Sequence, residues 1–361
     1  MNMPASNQFS PIARTIIVGG SLFLIIIGLH QISSFVNTAF LAIVICITTT
    51  PLVNWFKRKG MSKGLSVGIT ALLLVGSFIG VMALILRSGE QLIQYLPEIS
   101  TTSTERVADV SAALKSNNID TTNLASFIEK LLNAGFTGVS NILSTLSSWM
   151  AILALAVLAS IFMLSESTSF SNRLSNRFDS STRVWANLNR FVVSTRHFFI
   201  VATIMGIIQG TIIAIALYII GVPFPVTWGL LFWLLNYIPY IGIWLSVIPP
   251  MLIAGMEYGP QYALLVLIIY AVVRNVFNLI IYPKVMGDKV DISVTVGFLG
   301  LFFWGWTLGA FGALLAYPYT LLVRDVFLNS TTDDIWLVEI MKSSTTPEKK
   351  VTAESELINE Q

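Results

Sequence analysis

The sequence predicts an all-α polytopic membrane protein, and three observations carry that prediction. Of its 361 residues 55% are hydrophobic and only 11% charged, where a soluble domain has about 25% charged; the mean hydropathy is +0.76. Charges are absent from long stretches, among them Thr15–Phe56, Phe198–Met256 and Ile292–Val323. Two of the apolar stretches also carry a Pro or Gly break near their centre. The composition excludes a soluble enzyme, a disordered chain and a nucleic-acid binder. The net charge of +2 is too small to mark a polyanion as partner. One cysteine, Cys46, excludes an internal disulfide framework. With only His30 and His197 beside it, no catalytic site, metal site or cofactor is expected.

The elements follow in chain order. One crossing needs about 20 apolar residues, so Thr15–Phe56 holds two, with a turn expected at Gln31-Ile32-Ser33-Ser34. Leu65–Leu86 is a third span and Trp149–Leu164 a fourth. Phe198–Ile220 is a fifth, and Tyr262–Tyr282, interrupted only by Arg274, a sixth. The loop Lys57–Lys63 holds four cations, and Ser165–His197 holds five arginines. Both are expected on the cytoplasmic side, where short loops retain Lys and Arg. Ser88–Ser148 has six acids and three bases and belongs outside. Its apolar residues recur at helical spacing (Leu92, Ile93, Leu96, Ile99; Val107, Val110, Ala113, Leu114; Phe127, Ile128, Leu131, Leu132), as in amphipathic helices.

Two further segments look alike. Pro225–Met256 is interrupted by Asn236-Tyr237-Ile238-Pro239-Tyr240-Ile241-Gly242, and Ile292–Val323 by Trp304-Gly305-Trp306-Thr307-Leu308-Gly309. Proline removes a backbone donor, and glycine loosens a helix. The arms on either side are too short to cross, so each segment reads as a re-entrant hairpin broken at Pro239 and Gly242, or at Gly305 and Gly309. Loop charge favours this over single crossings. Met256–Gln261 then lies outside with no cation, and Pro283–Asp291, with Lys284 and Lys289, lies inside. The expected fold is about six full transmembrane helices plus two inverted re-entrant hairpins, with both termini cytoplasmic. Inverted repeats of broken helices are the organisation of secondary transporters. The chain divides into a three-span scaffold (1–87), an extracytoplasmic helical segment (88–148), a fourth span with a basic inner segment (149–197), a transport region of two span-plus-hairpin repeats (198–324) and a polar inner tail (325–361).

The residues reached here resemble the AI-2E family of transporters. They are Thr227-Trp228-Gly229-Leu230-Leu231, the run Asn236–Gly242 with Ile248-Pro249-Pro250, then Pro283-Lys284-Val285-Met286-Gly287, Phe302-Phe303-Trp304-Gly305-Trp306, and Gly309, Gly312 and Pro318. The resemblance is most specific from about Gln209 to Arg324. It implies a multi-pass protein of the bacterial inner membrane, a homo-oligomer (pentamers are known in the family), exporting a small polar signal such as autoinducer-2 by elevator-like motion. Na⁺(Li⁺)/H⁺ antiport is the alternative that the family offers.

Arg274 is the only charge well inside an expected span, and an intramembrane cation is a functional candidate by default. It either binds an anionic or hydroxyl-rich substrate or pairs with hairpin carbonyls. Asn275 and Asn278 flank it, with Asn278 expected on its face at i, i+4. Asn236 at the first hairpin and Gln209 in the preceding span complete a hydrogen-bonding set, or serve as interhelical glue. Trp304 and Trp306 either stack on substrate or anchor at an interface. His30 reads as a span cap. No Asp or Glu lies mid-span in the transport region, which leaves Asp288 and Asp291 as candidates for ion coupling. A P-loop GxxxxGK[ST] and the hydrolase motifs HExxH and GxSxG are absent, so no enzymatic activity is expected.

Overall fold

The computed structural model describes residues 10–115, 130, 137–138, 141, 144–145, 149–166, 183–239, 241–282, 284, 292–327 and 341. Asp288 and Asp291, the outer positions Phe127, Ile128, Leu131 and Leu132, and nearly all of the polar tail lie outside the described residues. Among the described residues six helices are long and apolar enough to cross a membrane: Ser33–Arg58, Lys63–Gln91, Trp149–Glu166, Val184–Ile219, Pro260–Ile281 and Val294–Leu314. Shorter apolar helices accompany them. The protein is therefore an all-α polytopic membrane protein.

Helix α1 (Pro11–Gln31) begins with Ser10, whose hydroxyl accepts from the Ala13 N–H at 3.2 Å, and with proline at its first position. Helix α2 (Ser33–Arg58) follows after Ile32 alone. The Ile32 N–H bonds the Gly28 carbonyl, and the Ile32 carbonyl accepts from Val36 N–H. The turn expected at Gln31–Ser34 is thus the single residue Ile32, across which helical hydrogen bonds persist. Helix α2 also runs on past Pro51, with the Thr48, Thr49 and Thr50 hydroxyls bonded back to carbonyls one turn earlier. Helix α3 (Lys63–Lys115) joins the third span to the first amphipathic stretch without a break. At 53 residues it is about 80 Å long. Helices α4 (Trp149–Glu166) and α5 (Arg183–Ile219) follow.

Helices α6 (Pro225–Leu235) and α7 (Gly242–Tyr258) form the first hairpin. The register of α6 on α5 shows its direction. A Cβ on Gly210 would lie 2.5 Å from the Gly229 carbonyl oxygen, and one on Gly206 would meet Trp233 and Asn236. Asn236 Nδ2 in turn donates to the Ala202 carbonyl at 3.3 Å. Residue numbers fall on α5 as they rise on α6, so α6 runs back down α5. Helix α7 then returns, because Tyr258 Oη, at its far end, donates to the Gly221 carbonyl just before α6, at 2.9 Å. Both ends of the hairpin are therefore at the same level. At the tip, a side chain on Gly242 would collide with the Leu235 carbonyl, so the arms close only on glycine.

Helix α8 (Pro260–Val276) continues into a π segment, Phe277–Ile281. The second hairpin comprises α9 (Val294–Leu314), α10 (Ala316–Leu322) and a π segment, Val323–Phe327. Although α9 counts by length and composition among the six long helices, it is broken at Gly309 (φ 75°, ψ −161°). That conformation is open essentially to glycine alone. The arms are antiparallel about it. Gly312 abuts the Trp304 carbonyl, and a Cβ on Gly300 would lie 2.6 Å from Thr320 Oγ1. Trp304 stacks on Tyr319 with ring centroids 4.8 Å apart. Gly305, expected to be a second break, lies in regular helix and packs against Ala313.

The two hairpins open toward opposite ends of α5. The base of the first sits beside Gly221, past the C-terminal end of α5. The returning arm of the second lays Tyr317 on Phe198 with centroids 4.2 Å apart, and its Leu321 shares a core with Phe191 nearer the α5 N-terminus. Fully buried Trp228, Phe232 and Tyr270 fill the first hairpin's core, while Phe311, Leu315 and Tyr319 pack with α2, α4 and α5 around the second. In lipid such packing stabilises by van der Waals contact and hydrogen bonds, because transfer from water no longer drives it.

Candidate functional site

The tip of the first hairpin sits on a polar patch. Arg274, one turn beyond fully buried Tyr270 on α8, projects toward the tip, and its Nη1 donates to Asn236 Oδ1 at 2.8 Å. The Asn236 amide nitrogen reaches the Ala202 carbonyl, and the absence of a Cβ on Gly206 leaves it room. Next to it, Tyr237 Oη and Thr203 Oγ1 share a hydrogen bond of 2.7 Å. The Trp233 indole nitrogen is buried over Gly206, beside Asn236 and the Tyr237 hydroxyl, without a full hydrogen bond. Burying backbone at a helix break requires that its polar groups find partners. Here side chains of α5 and α8 supply them.

Of the residues expected to bind substrate, the fold brings together Arg274 and Asn236. Gln209 is fully buried on α5, with Nε2 bonded to the Met205 carbonyl of its own helix and Oε1 lacking a donor. Asn275 bonds back to the Ala271 carbonyl and is exposed, as is Asn278. Arg274 is half-buried and bonded to Asn236, whereas Asn278, inside the π segment Phe277–Ile281, is exposed, and no hydrogen bond joins the two among the described residues.

The second tip is held differently. The break at Gly309 lies just after two carbonyls that accept from side chains of the first two helices. His30 Nδ1 bonds the Thr307 carbonyl at 2.9 Å, and Asn37 Nδ2 donates to the Leu308 carbonyl at 2.9 Å. Tyr319 Oη closes the set by donating to Asn37 Oδ1 at 3.2 Å. The bend at Ile32 places His30 and Asn37 on either side of this tip. These carbonyls are occupied by the protein's own side chains. Trp304, through stacking on Tyr319 and an N–H bond to Thr320 Oγ1 at 3.2 Å, is part of the hairpin's interior.

Between the tips lies a chamber of about 480 Å³, lined by Leu235, Ile238 and Ile241 on one side and Leu301, Gly305 and Ala313 on the other. Exposed Trp306 flanks its mouth. Sequence reasoning missed four polar participants: Tyr237, Thr203, Asn37, and the buried ion pair Arg324 Nε–Asp325 Oδ1 of 2.8 Å at the base of the second hairpin. Asn37 had a signal, since an amide in an otherwise apolar stretch must find a partner.

A multi-pass helical protein with paired broken segments of opposite sense belongs to the class of membrane transporters by its architecture. The comparison with known families makes this specific. The model described as AI-2E family transporter matches residues 20–331, and the chain belongs to that family. It is 31% identical over 313 residues to the AI-2 transport protein TqsA of Escherichia coli (strain K12), covering 86% of this chain and 90% of the relative. It is 28% identical over 300 residues to YhhT of the same organism, provisionally named a transport protein, covering 83% of this chain and 86% of that relative.

Proposed function

We propose that this chain is a secondary transporter of the bacterial inner membrane that exports a small polar metabolite of the autoinducer-2 type. Its two hairpins are re-entrant, one dipping in from each face of the bilayer, and they move as an elevator around the patch formed by Arg274, Asn236, Tyr237 and Thr203. The observation that carries this reading is that the hairpins open toward opposite ends of α5 and that the tip of the first bears the polar patch of Arg274, Asn236, Tyr237 and Thr203. The name of TqsA supports the substrate class. Both termini are cytoplasmic in this reading, and the working unit is a homo-oligomer.

The test is flux in proteoliposomes. Arg274→Ala and Asn236→Ala are expected to lose most of the transport of autoinducer-2 while remaining folded. Normal flux by both variants would remove the site assignment. A second reading, Na⁺(Li⁺)/H⁺ antiport, is favoured by one observation: Asp325 is buried, and its Oδ2 makes no hydrogen bond. That reading requires pH-dependent Na⁺ flux that Asp325→Asn abolishes.

A further inference from the structure

We infer that the ligand seated at the first hairpin tip is an anion, and that it works by taking Arg274 away from Asn236. The inference rests on the transporter reading above and deepens it.

The charge inventory comes first. Arg274 is half-buried, and among the described residues the ion pair within 4.0 Å is Arg324–Asp325, so Arg274 has no carboxylate there. Its bonded partner is a neutral amide oxygen. A cation held at membrane depth against a neutral acceptor is only partly compensated. A guanidinium has five donors, and this bond uses one.

The neighbouring groups have the same sense. The Trp233 N–H lies beside the Tyr237 hydroxyl without a full hydrogen bond, and Asn236 Nδ2 makes only a long bond of 3.3 Å to Ala202. Both atoms converge over Gly206, within 3.5 Å of the point where a Cβ would stand. Donors therefore surround a half-buried positive charge. A neutral polyol, which must also donate, matches this set poorly; a carboxylate or phosphate, which only accepts, matches it well.

The second step concerns the hairpin. A hydrogen bond from Arg⁺ to an anionic oxygen is roughly twice as strong as one to a neutral oxygen. An anion that takes the guanidinium fork with two oxygens engages both Nη groups, and so competes with Asn236 Oδ1 for Nη1. The tip then keeps only the Thr203–Tyr237 bond and the long Asn236–Ala202 bond. Ligand binding and release of the first hairpin become one event, as differential affinity for two states requires.

The experiment uses purified full-length protein and matched probes that differ in charge: acetate against ethanol, glycerate against glycerol, gluconate against sorbitol. Thermal stabilisation is followed as each is titrated. At least one anion should stabilise the protein where its neutral partner does not. Asn236→Ala, by removing the internal competitor, should lower the half-saturating anion concentration about tenfold, the weight of one hydrogen bond to a charged group. Arg274→Gln should abolish the response, and Arg274→Lys should retain a weaker one, which a misfolded variant would not. The inference fails if no anion outperforms its neutral partner, if the response survives Arg274→Gln in folded protein, or if Asn236→Ala weakens it. Uptake of the same probes into vesicles separates the two claims. Uptake of neutral and anionic members alike, unchanged in Arg274→Gln, keeps the transporter and discards the anion. An anion response without uptake of any probe keeps the anion site and discards the transporter.

Discussion

The two hairpins share a plan and differ in what holds them. In each, a glycine of the second arm abuts a carbonyl of the first, Gly242 against Leu235 and Gly312 against Trp304. The first tip is held by bonds between side chains, Arg274 to Asn236 and Tyr237 to Thr203, which a solute can compete for. The second is held by His30 and Asn37 on the Thr307 and Leu308 backbone carbonyls beside the Gly309 break. The bases differ as well: a tyrosine on a carbonyl closes the first, and a buried ion pair the second. A tip tied by exchangeable side-chain bonds is easier to loosen than one tied through its backbone.

Four substitutions sharpen this contrast, in order of expected effect. Asp325→Asn leaves the buried Arg324 charge without its carboxylate and should cost about 3–5 kcal/mol, read as a large drop in unfolding temperature in detergent. Gly309→Ala forces a side chain into a conformation reserved for glycine, at about 1–3 kcal/mol, and should reduce the yield of folded protein. Asn37→Leu leaves the Leu308 carbonyl and Tyr319 hydroxyl without partners and should also cost about 1–3 kcal/mol. Tyr258→Phe removes one exposed hydrogen bond and should cost about 0.5–1.5 kcal/mol while leaving flux nearly unchanged. If Asn37→Leu proved milder for stability than Asn236→Leu, the order of the two tips, the first the more easily loosened, would be reversed.

Much of the architecture was legible because a bilayer writes itself into composition: charge-free runs gave the spans, and Pro239 and Gly309 marked both hairpins. What escaped depends on hydrogen-bond register. The π segment at Phe277–Ile281, which contains Asn278, has no signature in residue type. The turn at Ile32 is shorter than the polar run Gln31–Ser34 suggested, because Ser33 and Ser34 continue a helix. In the site, Arg274 and Asn236 stood out as polar residues in apolar surroundings. Tyr237 did not, because its hydroxyl counts only once Thr203 is opposite. The pair Arg324–Asp325 read as the start of a tail, since adjacent opposite charges after a span resemble its solvated end.

The claim that the hairpins enter from opposite faces is tested most directly by cysteine labelling from each side of the membrane. In a Cys46→Ala background, Gln261→Cys lies at the open end of the first hairpin, and Lys284→Cys follows the sixth span. The account predicts that an impermeant maleimide reaches Gln261→Cys only from outside and Lys284→Cys only from the cytoplasmic side. Labelling of Gln261→Cys from the cytoplasmic side, or of Lys284→Cys from outside, would contradict it.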